Sequence, residues 1–371
     1  MNLKNNIIVD KQLELLSPAG SFECAKAAVD AGADAIYMGG ARYGARAFAK
    51  STSDDSIIDS IKFVKENGKK FYLTVNTLFK QRELKEIFLF LDPIVDAGVD
   101  AFIVQDLGVA MLLKNKYPNV ELHASTQMTI TSSKAINLIK PLGFTQVVLA
   151  RELSIKEIKA IKKEVGDDIK LEAFVHGSMC YSYSGACLMS SFIGGESGNR
   201  GRCKGPCRLP YRRGEGSIGA DTIRPPRKRE CLQSPTRRGE FHEPAPYILS
   251  MKDMCALNSL SGLVNAGVTS FKIEGRMRQA DYVYGVTKTY RKYLDAIINR
   301  QLAGNDMLSA SVEANANFVG VDIIRPPRTG ELHEPDIRND EKYLLQLYNK
   351  GGFTNYYDTH NSPDMIQRYE R

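Results

Sequence analysis

The apolar and polar positions of the chain follow a helical period in some stretches and form short β-rich runs in others. In SDDSIIDSIKFVKENG, Ile57, Ile61 and Val64 fall on one face of a helix, and Ser21 stands where it can cap the helix in SFECAKAAVDAG. Runs such as KFYLTV and AFIV lie between helices of this kind. The pattern predicts amphipathic helices that alternate with strands.

One phrase recurs where a helix passes into the next strand. It reads AGADAIYMGG from Ala31, AGVDAFIVQD from Ala97 and AGVTSFKIEG from Ala266, and LGFTQVVLAR from Leu142 is a looser copy. Each copy has a glycine that can end a helix in the left-handed conformation, then a short polar turn and a β-rich run. The repeat predicts a series of βα units.

Eight β-rich runs alternate with helices, namely LELLSPAG, AIYMGG, KFYLTVNT, AFIVQD, ELHASTQM, QVVLARE, KLEAFVHG and SFKIEGR. This alternation predicts a parallel sheet, and eight units favour an α/β fold of the closed (β/α)8 TIM-like barrel type over an open doubly wound sheet. The ends of these strands would meet at one mouth, where active sites of such barrels lie. Polar or glycine residues stand at these ends: Gly39, Gly40, Asn76, Gln105, Asp106, Ser125, Gln127, Arg151, Glu152, His176, Glu274 and Arg276.

The segment between the seventh and eighth strands is far longer than an ordinary βα loop. We expect a barrel over residues 1–305 with a cysteine-rich insertion at 178–255, followed by a C-terminal extension at 306–371. GADTIRPPR and RRGEFHEP at 219–244 resemble GVDIIRPPRTGELHEP at 320–335. The repeated wording predicts a flexible inserted peptide at 213–244 and a second one in the extension, both peripheral to catalysis.

The composition is that of an ordinary globular protein, with 43% hydrophobic and 25% charged residues in 371. The chain has no apolar run long enough for a membrane span, and its start lacks the order of a signal peptide, so we expect a cytoplasmic protein. In that reducing compartment, clustered cysteines point to metal binding, catalysis or simple burial rather than disulfides. The net charge of +7 suits an RNA-binding face but equally a plain basic enzyme.

Four of the seven cysteines fall within one short segment: Cys180, Cys187, Cys203 and Cys207. A further cysteine, Cys255, closes the run SMKDMC. Soft thiolates cluster in this way to hold zinc or an iron–sulfur cluster. The spacing matches no common zinc-ribbon pattern, which favours the cluster over zinc. Buried or spare thiols are the alternative.

A thiol nucleophile is a different hypothesis for the same segment. It needs an imidazole near the thiol. His176 lies four residues before Cys180, and His123 lies at the fifth strand, so either imidazole is a candidate base. Proximity in sequence is weak support, because catalytic dyads meet in space.

Cations gather near the end of the eighth strand, in SFKIEGRMR. Lys272, Arg276 and Arg278 suit recognition of a carboxylate or a phosphate, and Arg42, Arg46 and Arg151 are further candidates. The alternative is structural pairing of these cations with Glu152, Glu172 or Glu274. The candidate catalytic residues at the mouth are Glu172, His176, Arg151, Glu274 and Arg276.

The stretch EAFVHGSMCYSYSGACLMS resembles the signature segment of peptidase family U32, the collagenase-like proteases. ELLSPAG, AGADAIYMGG, GNRGRCKGPCRLPY, SMKDMC and SFKIEGRMR resemble that family in the same order, so the resemblance extends to about residue 300. The tail LLQLYNKGGFTNYYDTHNSPDMIQRYER resembles the ribosomal-RNA hydroxylation branch, and relative to that branch we expect a truncated extension.

The resemblance implies an iron–sulfur cluster, expected to be 4Fe–4S, held by four cysteines, and prephenate as a small acidic metabolite that the RNA-modifying branches require. The ligands of the cluster would be Cys180, Cys187 and Cys203, with Cys255 preferred as the fourth ligand and Cys207 as the alternative. The expected function is hydroxylation of an RNA base, forming 5-hydroxycytidine in large-subunit ribosomal RNA or modifying a tRNA uridine. The alternatives are a collagenase-like peptidase, or an accessory protein with a structural cluster.

Overall fold

The computed structural model describes residues 13–40, 42–44, 53–211, 247, 249–302, 336–348 and 353–354. The strands are β1 (Glu14–Pro18), β2 (Ala35–Met38), β3 (Lys70–Val75), β4 (Ala101–Val104), β5 (Glu121–Ala124), β6 (Phe144–Val148), β7 (Lys170–Gly177), β8 (Asp253–Cys255), β9 (Ser270–Ile273) and β10 (Phe353–Thr354). The helices are α1 (Phe22–Asp30), α2 (Asp54–Glu66), α3 (Ile87–Asp96), α4 (Leu107–Lys116), α5 (Ser133–Ile139), α6 (Ile155–Val165), α7 (Met189–Gly194), α8 (Leu260–Asn265), α9 (Ala280–Leu302) and α10 (Ile337–Leu347).

Strands β1 to β7 and β9 form a closed parallel barrel. Each of β1 to β6 pairs in parallel with the next strand, and β9 closes the ring by pairing in parallel with β1 on one side and β7 on the other. Ser270 is the register partner of Glu14 in β1 and of Glu172 in β7. The predicted (β/α)8 barrel is confirmed, with the eight predicted strands in their predicted order.

Two short strands lie outside the barrel and were not predicted. β8 pairs antiparallel with the end of β7, where Cys255 is the register partner of His176. β10 then pairs in parallel with β8. These strands extend the sheet beyond β7, beside the point where the barrel closes, and carry Cys255 to the end of β7.

The helix boundaries follow from local chemistry. The side chains of Ser21 and Ser53 accept hydrogen bonds from the first turns of α1 and α2, and Ser154 with Glu157 forms a capping box on α6. The glycine of every copy of the repeated phrase is left-handed, with φ between +89° and +98°: Gly32, Gly98, Gly143 and Gly267. A side chain would be strained at such a φ, so the repeat ends each helix as predicted.

Two of the three clusters of buried apolar residues in the described part of the chain form the two layers of the barrel core, and the third consists of Val148, Phe174, Met179, Met251 and Met254. The larger layer lies between strands and helices and includes Ile57, Ile61 and Val64 of α2, each fully buried as the periodicity predicted. The smaller layer fills the inside of the barrel and consists of Leu16, Ala35, Tyr37, Tyr72, Ala101 and Ile103. On β6, β7 and β9 the inward positions include the buried polar residues Gln146, Glu172, Ser270 and Lys272 beside the apolar Val148 and Phe174, and these polar residues position the candidate site.

Residues beyond the barrel pack against its last helix. Asp340 of α10 accepts hydrogen bonds from Lys292 at 2.8 Å and Tyr293 at 2.9 Å, both on α9, and Leu344 is fully buried. The predicted inserted peptides at 213–244 and 320–335 lie outside the described residues. No helix within the described ranges has the length and apolar character needed to cross a membrane.

Candidate active site at the carboxyl end of the barrel

A buried ion pair lies in the middle of the barrel, on two adjacent strands. Lys272 of β9 donates to Glu172 of β7 at 2.7 Å, and their side chains are 5% and 0% exposed. Gln146 donates to the same carboxylate, and Ser270 does so at 3.2 Å. The Lys272 ammonium also lies 4.5 Å from the centroid of the Tyr37 ring. Three further groups, Gln146, Ser270 and the Tyr37 ring, thus surround a pair that would be costly to bury unsatisfied.

This polar network continues toward the amino ends of the strands. Ser270 Oγ also lies 2.9 Å from Glu14 Oε1, so its single hydroxyl hydrogen is shared between the two carboxylates, and the Tyr72 hydroxyl donates to Glu14 at 2.6 Å. Burial, together with the Glu14 carboxylate, raises the pKa of Tyr72 well above its ordinary value. Tyr72 therefore remains protonated and can act only as a hydrogen-bond donor to Glu14.

Arg151 and Glu274 form a second ion pair nearer the carboxyl ends of the strands. Arg151 Nη2 lies 3.2 Å from Glu274 Oε2, with side chains 9% and 15% exposed. The guanidinium lies 4.0 Å from the centroid of the Phe174 ring, and its Nη1 is 4.0 Å from Cys180 Sγ. Arg151 thus connects the barrel interior to the cysteine segment.

Arg276 occupies a space that only glycines leave open. Its Nη1 donates to Thr74 Oγ1 at 2.6 Å, and the residue is 8% exposed. A Cβ at Gly39 would come within 2.4 Å of Arg276 Nη1, and one at Gly20 within 2.0 Å of the Arg276 carbonyl oxygen. The glycines of the motifs SPAG and YMGG therefore admit this arginine to the mouth.

The other predicted cations lie elsewhere. Arg278 donates to Ser178 at 3.1 Å, and its guanidinium lies 3.3 Å from the centroid of the Tyr348 ring. Arg42 is exposed and lies 3.5 Å from Asp54, while Arg46 falls outside the described residues. The alternative of structural pairing is thus the observed arrangement for Lys272 and Arg151, whereas Arg276 and Arg278 contact hydroxyls and aromatic rings.

Residues 178–211, which we term the roof segment, cross the mouth of the barrel. Near the end of β5, Thr129 donates to the Ser184 carbonyl at 2.6 Å, and after β6 Glu152 accepts from the Ser184 amide at 2.8 Å. Beyond the end of β3, the Leu78 amide donates to the Asn199 carbonyl at 3.0 Å. The roof segment is therefore attached at several strand ends around the mouth.

Four cysteines lie on the roof segment. Cys180 and Cys203 are exposed, and Cys187 and Cys207 are partly buried. Burial raises the pKa of Cys207, the adjacent Arg208 opposes this, and the thiols of Cys180, Cys203 and Cys187 raise it further. Cys207 therefore lies close enough to the other three thiols to feel their charge. Within the described ranges, no three or more His, Cys, Asp or Glu side chains are already drawn together as a metal site.

Cys255 and His176 lie in a separate, buried environment. Tyr290 of α9 places its hydroxyl 3.8 Å from Cys255 Sγ and 3.3 Å from His176 Nδ1. A register shift between Phe174 and His176 in the pairing of β7 with β9 accompanies the packing of His176 against the rings of Tyr290 and Phe353. Burial, aided by the charge of Arg278, lowers the pKa of His176 to about 3. His176 is thus a neutral, enclosed imidazole rather than a side chain at the open mouth, and its catalytic role stays a prediction that this position does not favour.

His123, the other imidazole considered for a thiol dyad, lies inside the barrel. Its Nε2 is 3.2 Å from Glu121 Oε2, and this hydrogen bond is the main reason that the pKa of Glu121 is lowered to about 2. Neither His123 nor His176 is within hydrogen-bond distance of Cys180, Cys187, Cys203 or Cys207, all of which are described.

The sequence did not single out several residues that complete the network. Thr74, Tyr290 and Ser270 are common residue types in strands and helices and carried no motif. A polar residue inside an otherwise apolar strand was the usable signal, and it applies to Gln146 in QVVLARE and to Thr74 in KFYLTV. Tyr290 lies on α9 and is brought to Cys255 only by packing.

Comparisons with known proteins give one consistent family. A family model described as peptidase family U32 matches residues 20–318. A 23S rRNA 5-hydroxycytidine synthase of Escherichia coli is 38% identical over 307 residues, covering 83% of this chain and 42% of that protein. A tRNA hydroxylation protein of Bacillus subtilis is 37% identical over 289 residues, covering 78% of this chain and 64% of that protein. A collagenase of Porphyromonas gingivalis is 31% identical over 297 residues, covering 77% of this chain and 66% of that protein. The chain thus spans less than two thirds of the first two relatives.

Proposed function

The chain belongs to peptidase family U32, and from that premise we propose that it takes part in the hydroxylation of a base in RNA. The observation that carries the proposal is the identity of 37–38% to two proteins named for RNA hydroxylation, over 307 and 289 residues. The substrate would be a cytidine of large-subunit ribosomal RNA, forming 5-hydroxycytidine, or a uridine of tRNA. Both are pyrimidines, and the product in each case would carry a hydroxyl on the base.

The roof thiols would hold the iron–sulfur cluster that the family resemblance implies. Cys180, Cys187, Cys203 and Cys207 share one segment, Cys207 lies within electrostatic reach of the other three, and thiolates are the donors that such clusters take. When bound, the cluster would supply one-electron chemistry above the mouth. Zinc is the alternative metal for the same donors.

The residues of the barrel itself would bind and orient the reactants. Arg151, held by Glu274 and stacked on Phe174, would present a fixed guanidinium beneath Cys180. Arg276 and Arg278 would bind the carboxylates of an acidic metabolite such as prephenate, because guanidinium groups pair well with carboxylates. Lys272 belongs to the predicted set but is directed at Glu172, so we assign it to holding that carboxylate.

The proposal is tested by nucleoside mass spectrometry of RNA from the source organism, with and without the gene. We expect 5-hydroxycytidine in ribosomal RNA, or a 5-hydroxyuridine derivative in tRNA, to disappear on deletion and to return with the wild-type gene. A gene encoding Cys180→Ser should fail to restore it. Unchanged profiles of both RNA classes would contradict the proposal.

A second candidate, peptidase activity, is favoured by the relative named as a collagenase. Against it, the two described imidazoles contact Glu121 and Tyr290 rather than a roof thiol. Metal-free protein that degrades gelatin, and loses this activity on Cys180→Ala, would support the peptidase. An accessory role predicts a bound cluster but no change in RNA modification when Arg151 is replaced.

A further inference from the structure

The roof segment exposes several large apolar side chains within a short stretch of sequence. Five residues between positions 181 and 193 are exposed, and Phe192 is 83% exposed: Tyr181, Tyr183, Leu188, Phe192 and Ile193. Single exposed apolar residues are ordinary on a protein surface, but five on one short segment favour a place where another molecule binds. Three of the five are aromatic.

The backbone that carries this group is firmly anchored. Ser184 is buried, and both its amide and its hydroxyl contact Glu152, at 2.8 and 3.2 Å. Gly185 lies so close to the Gln127 backbone that a Cβ would come within 2.1 Å of its carbonyl oxygen. These anchors hold the backbone directly after Tyr183 against the ends of β5 and β6.

The same segment carries an excess of positive charge. It contains Arg200, Arg202, Lys204 and Arg208 but one acidic residue, Glu196, which gives a formal charge of +3 from four cations and one anion. Arg200 is paired with Glu83, and Arg208 donates to backbone carbonyls. Arg202 is 60% exposed, and its nearest carboxylate, Glu196, is 3.7 Å away. Lys204 is also exposed, and its ammonium donates to the Gly194 carbonyl at 3.3 Å. Arg202 and Lys204 are thus the two exposed cations of the segment that an anionic partner can reach.

We propose that the roof segment is a stacking platform for unpaired nucleotides of RNA. Tyr181, Tyr183 and Phe192 would stack on bases, while Arg202 and Lys204 would contact phosphates. Proteins that bind single-stranded RNA combine aromatic rings with cations along the backbone, as this surface does. The charge favours RNA over an apolar protein partner, which would leave the cations unsatisfied.

The inference rests on the proposed function, because an enzyme that acts on a base must take it out of the stack. The target base would enter the mouth between strand ends, and its unstacked neighbours would need a surface to replace the lost stacking. The roof segment lies over that mouth and offers rings for this purpose.

The test is binding of a short, fluorescently labelled, single-stranded oligoribonucleotide of cytidines to the full 371-residue chain, measured by anisotropy over a range of salt. Phe192→Ala and Tyr183→Ala should each weaken binding about tenfold, the effect expected of one lost base stack. Their salt dependence should remain that of the wild type. Arg202→Ala should instead reduce the slope of log affinity against log salt by about one.

Conservative variants separate stacking from general apolar contact. Tyr183→Phe should retain affinity, whereas Phe192→Leu should behave like Phe192→Ala, because leucine has no ring. The matched control is Leu138→Ala, since Leu138 is 73% exposed and lies at the end of α5 that leads back to the start of β6, away from the mouth. Full affinity in Phe192→Ala and Tyr183→Ala, or in Phe192→Leu, would overturn the platform.

The outcome is distinguishable from failure of the proposed function. If RNA from the deletion strain is unchanged but the ring variants lose oligonucleotide binding, the hydroxylation proposal fails and RNA binding by the roof segment stands. If deletion abolishes the modification but a gene encoding Phe192→Ala and Tyr183→Ala restores it fully, hydroxylation stands and the platform fails. The platform would also be rejected if the roof segment bound a protein partner while every variant kept the wild-type affinity for the oligonucleotide.

Discussion

At the scale of single residues, Glu172 and Lys272 define the interior of the barrel. Both are charged side chains at inward positions where apolar residues usually stack in barrels of this type. Burial of such a pair is tolerated only when its remaining hydrogen-bonding positions are also satisfied. Gln146 and Ser270 meet this requirement by hydrogen bonding to the Glu172 carboxylate. The pair therefore fixes a polar centre beneath the mouth.

Removing one partner of this pair should be costly. We expect Lys272→Met to lower the free energy of unfolding by about 3–5 kcal/mol, because it leaves a buried carboxylate without its cation. Adding Glu172→Gln should recover part of the loss. Urea unfolding measures both, and Lys134→Met, in an exposed pair at 3.9 Å, should change stability by less than about 0.5 kcal/mol. Strictly additive losses in the double variant would contradict this account.

Glu121 should give the protein an acid-dependent loss of stability. Its hydrogen bond to His123 holds the pKa at about 2, below the unfolded value of 4.5. The unfolded state therefore binds more protons between these values, so the stability that Glu121 contributes is present above pH 4.5 and lost as the pH falls toward 2.

The side chain of Glu121 is 45% exposed, so solvent screening reduces the effect, and we expect about 1 kcal/mol between pH 6 and pH 3. Urea midpoints across this range should fall less steeply in Glu121→Gln than in the wild type. In a protein that already carries His123→Phe, adding Glu121→Gln should change the dependence of the urea midpoint on pH little. Identical slopes in wild type and Glu121→Gln would reject the assignment.

At the scale of elements, the roof segment depends on one close approach of backbones. Gly185 has a φ of +77° and lies against the Gln127 carbonyl, whereas Gly195 has a φ of +66° and open space around it. Both positions disfavour a side chain through backbone strain, but a steric clash with a neighbouring strand end exists at Gly185 and not at Gly195. The two glycines therefore form a matched pair.

We expect Gly195→Ala to cost about 1 kcal/mol through strain, and Gly185→Ala about twice as much or more, because it also pushes the roof from the end of β5. Hydrogen exchange of roof amides should increase in Gly185→Ala, while the amides of β1 to β7 stay protected. Equal effects of the two substitutions would show that the contact with Gln127 does not anchor the roof.

At the scale of the whole molecule, the packing separates two groups of thiols. Cys207 lies under the electrostatic influence of Cys180, Cys187 and Cys203, whereas Cys255 is on β8 with its sulfur against the Tyr290 hydroxyl. The sequence favoured Cys255 as the fourth ligand of a cluster, and that assignment stays a prediction. The packing favours Cys207.

Iron content separates the two assignments. In anaerobically purified protein we expect Cys180→Ser and Cys207→Ser to lose bound iron and the absorbance at about 400 nm that iron–sulfur proteins show. Cys255→Ser should retain both, as should Cys24→Ser, a control in which a buried thiol on α1 is changed. Loss of iron in Cys255→Ser with retention in Cys207→Ser would reverse the assignment.

The sequence by itself determined the barrel. The helix-ending glycines, the serine caps and the apolar face of α2 act through contacts of a few residues, so they can be recognised in the chain, and they stand where they were predicted. The polar residues at strand ends were also identifiable, because a charged side chain after an apolar run requires a reason.

Only the tertiary structure decided how these side chains are used. That Lys272 faces Glu172, that Arg151 lies between Glu274 and Cys180, and that His176 is enclosed by the rings of Tyr290 and Phe353 all depend on residues distant in the chain. The pairing of β8 with β7 likewise follows from packing. Ion pairing and burial are set by distances across the barrel, and local sequence patterns carry no information about those distances.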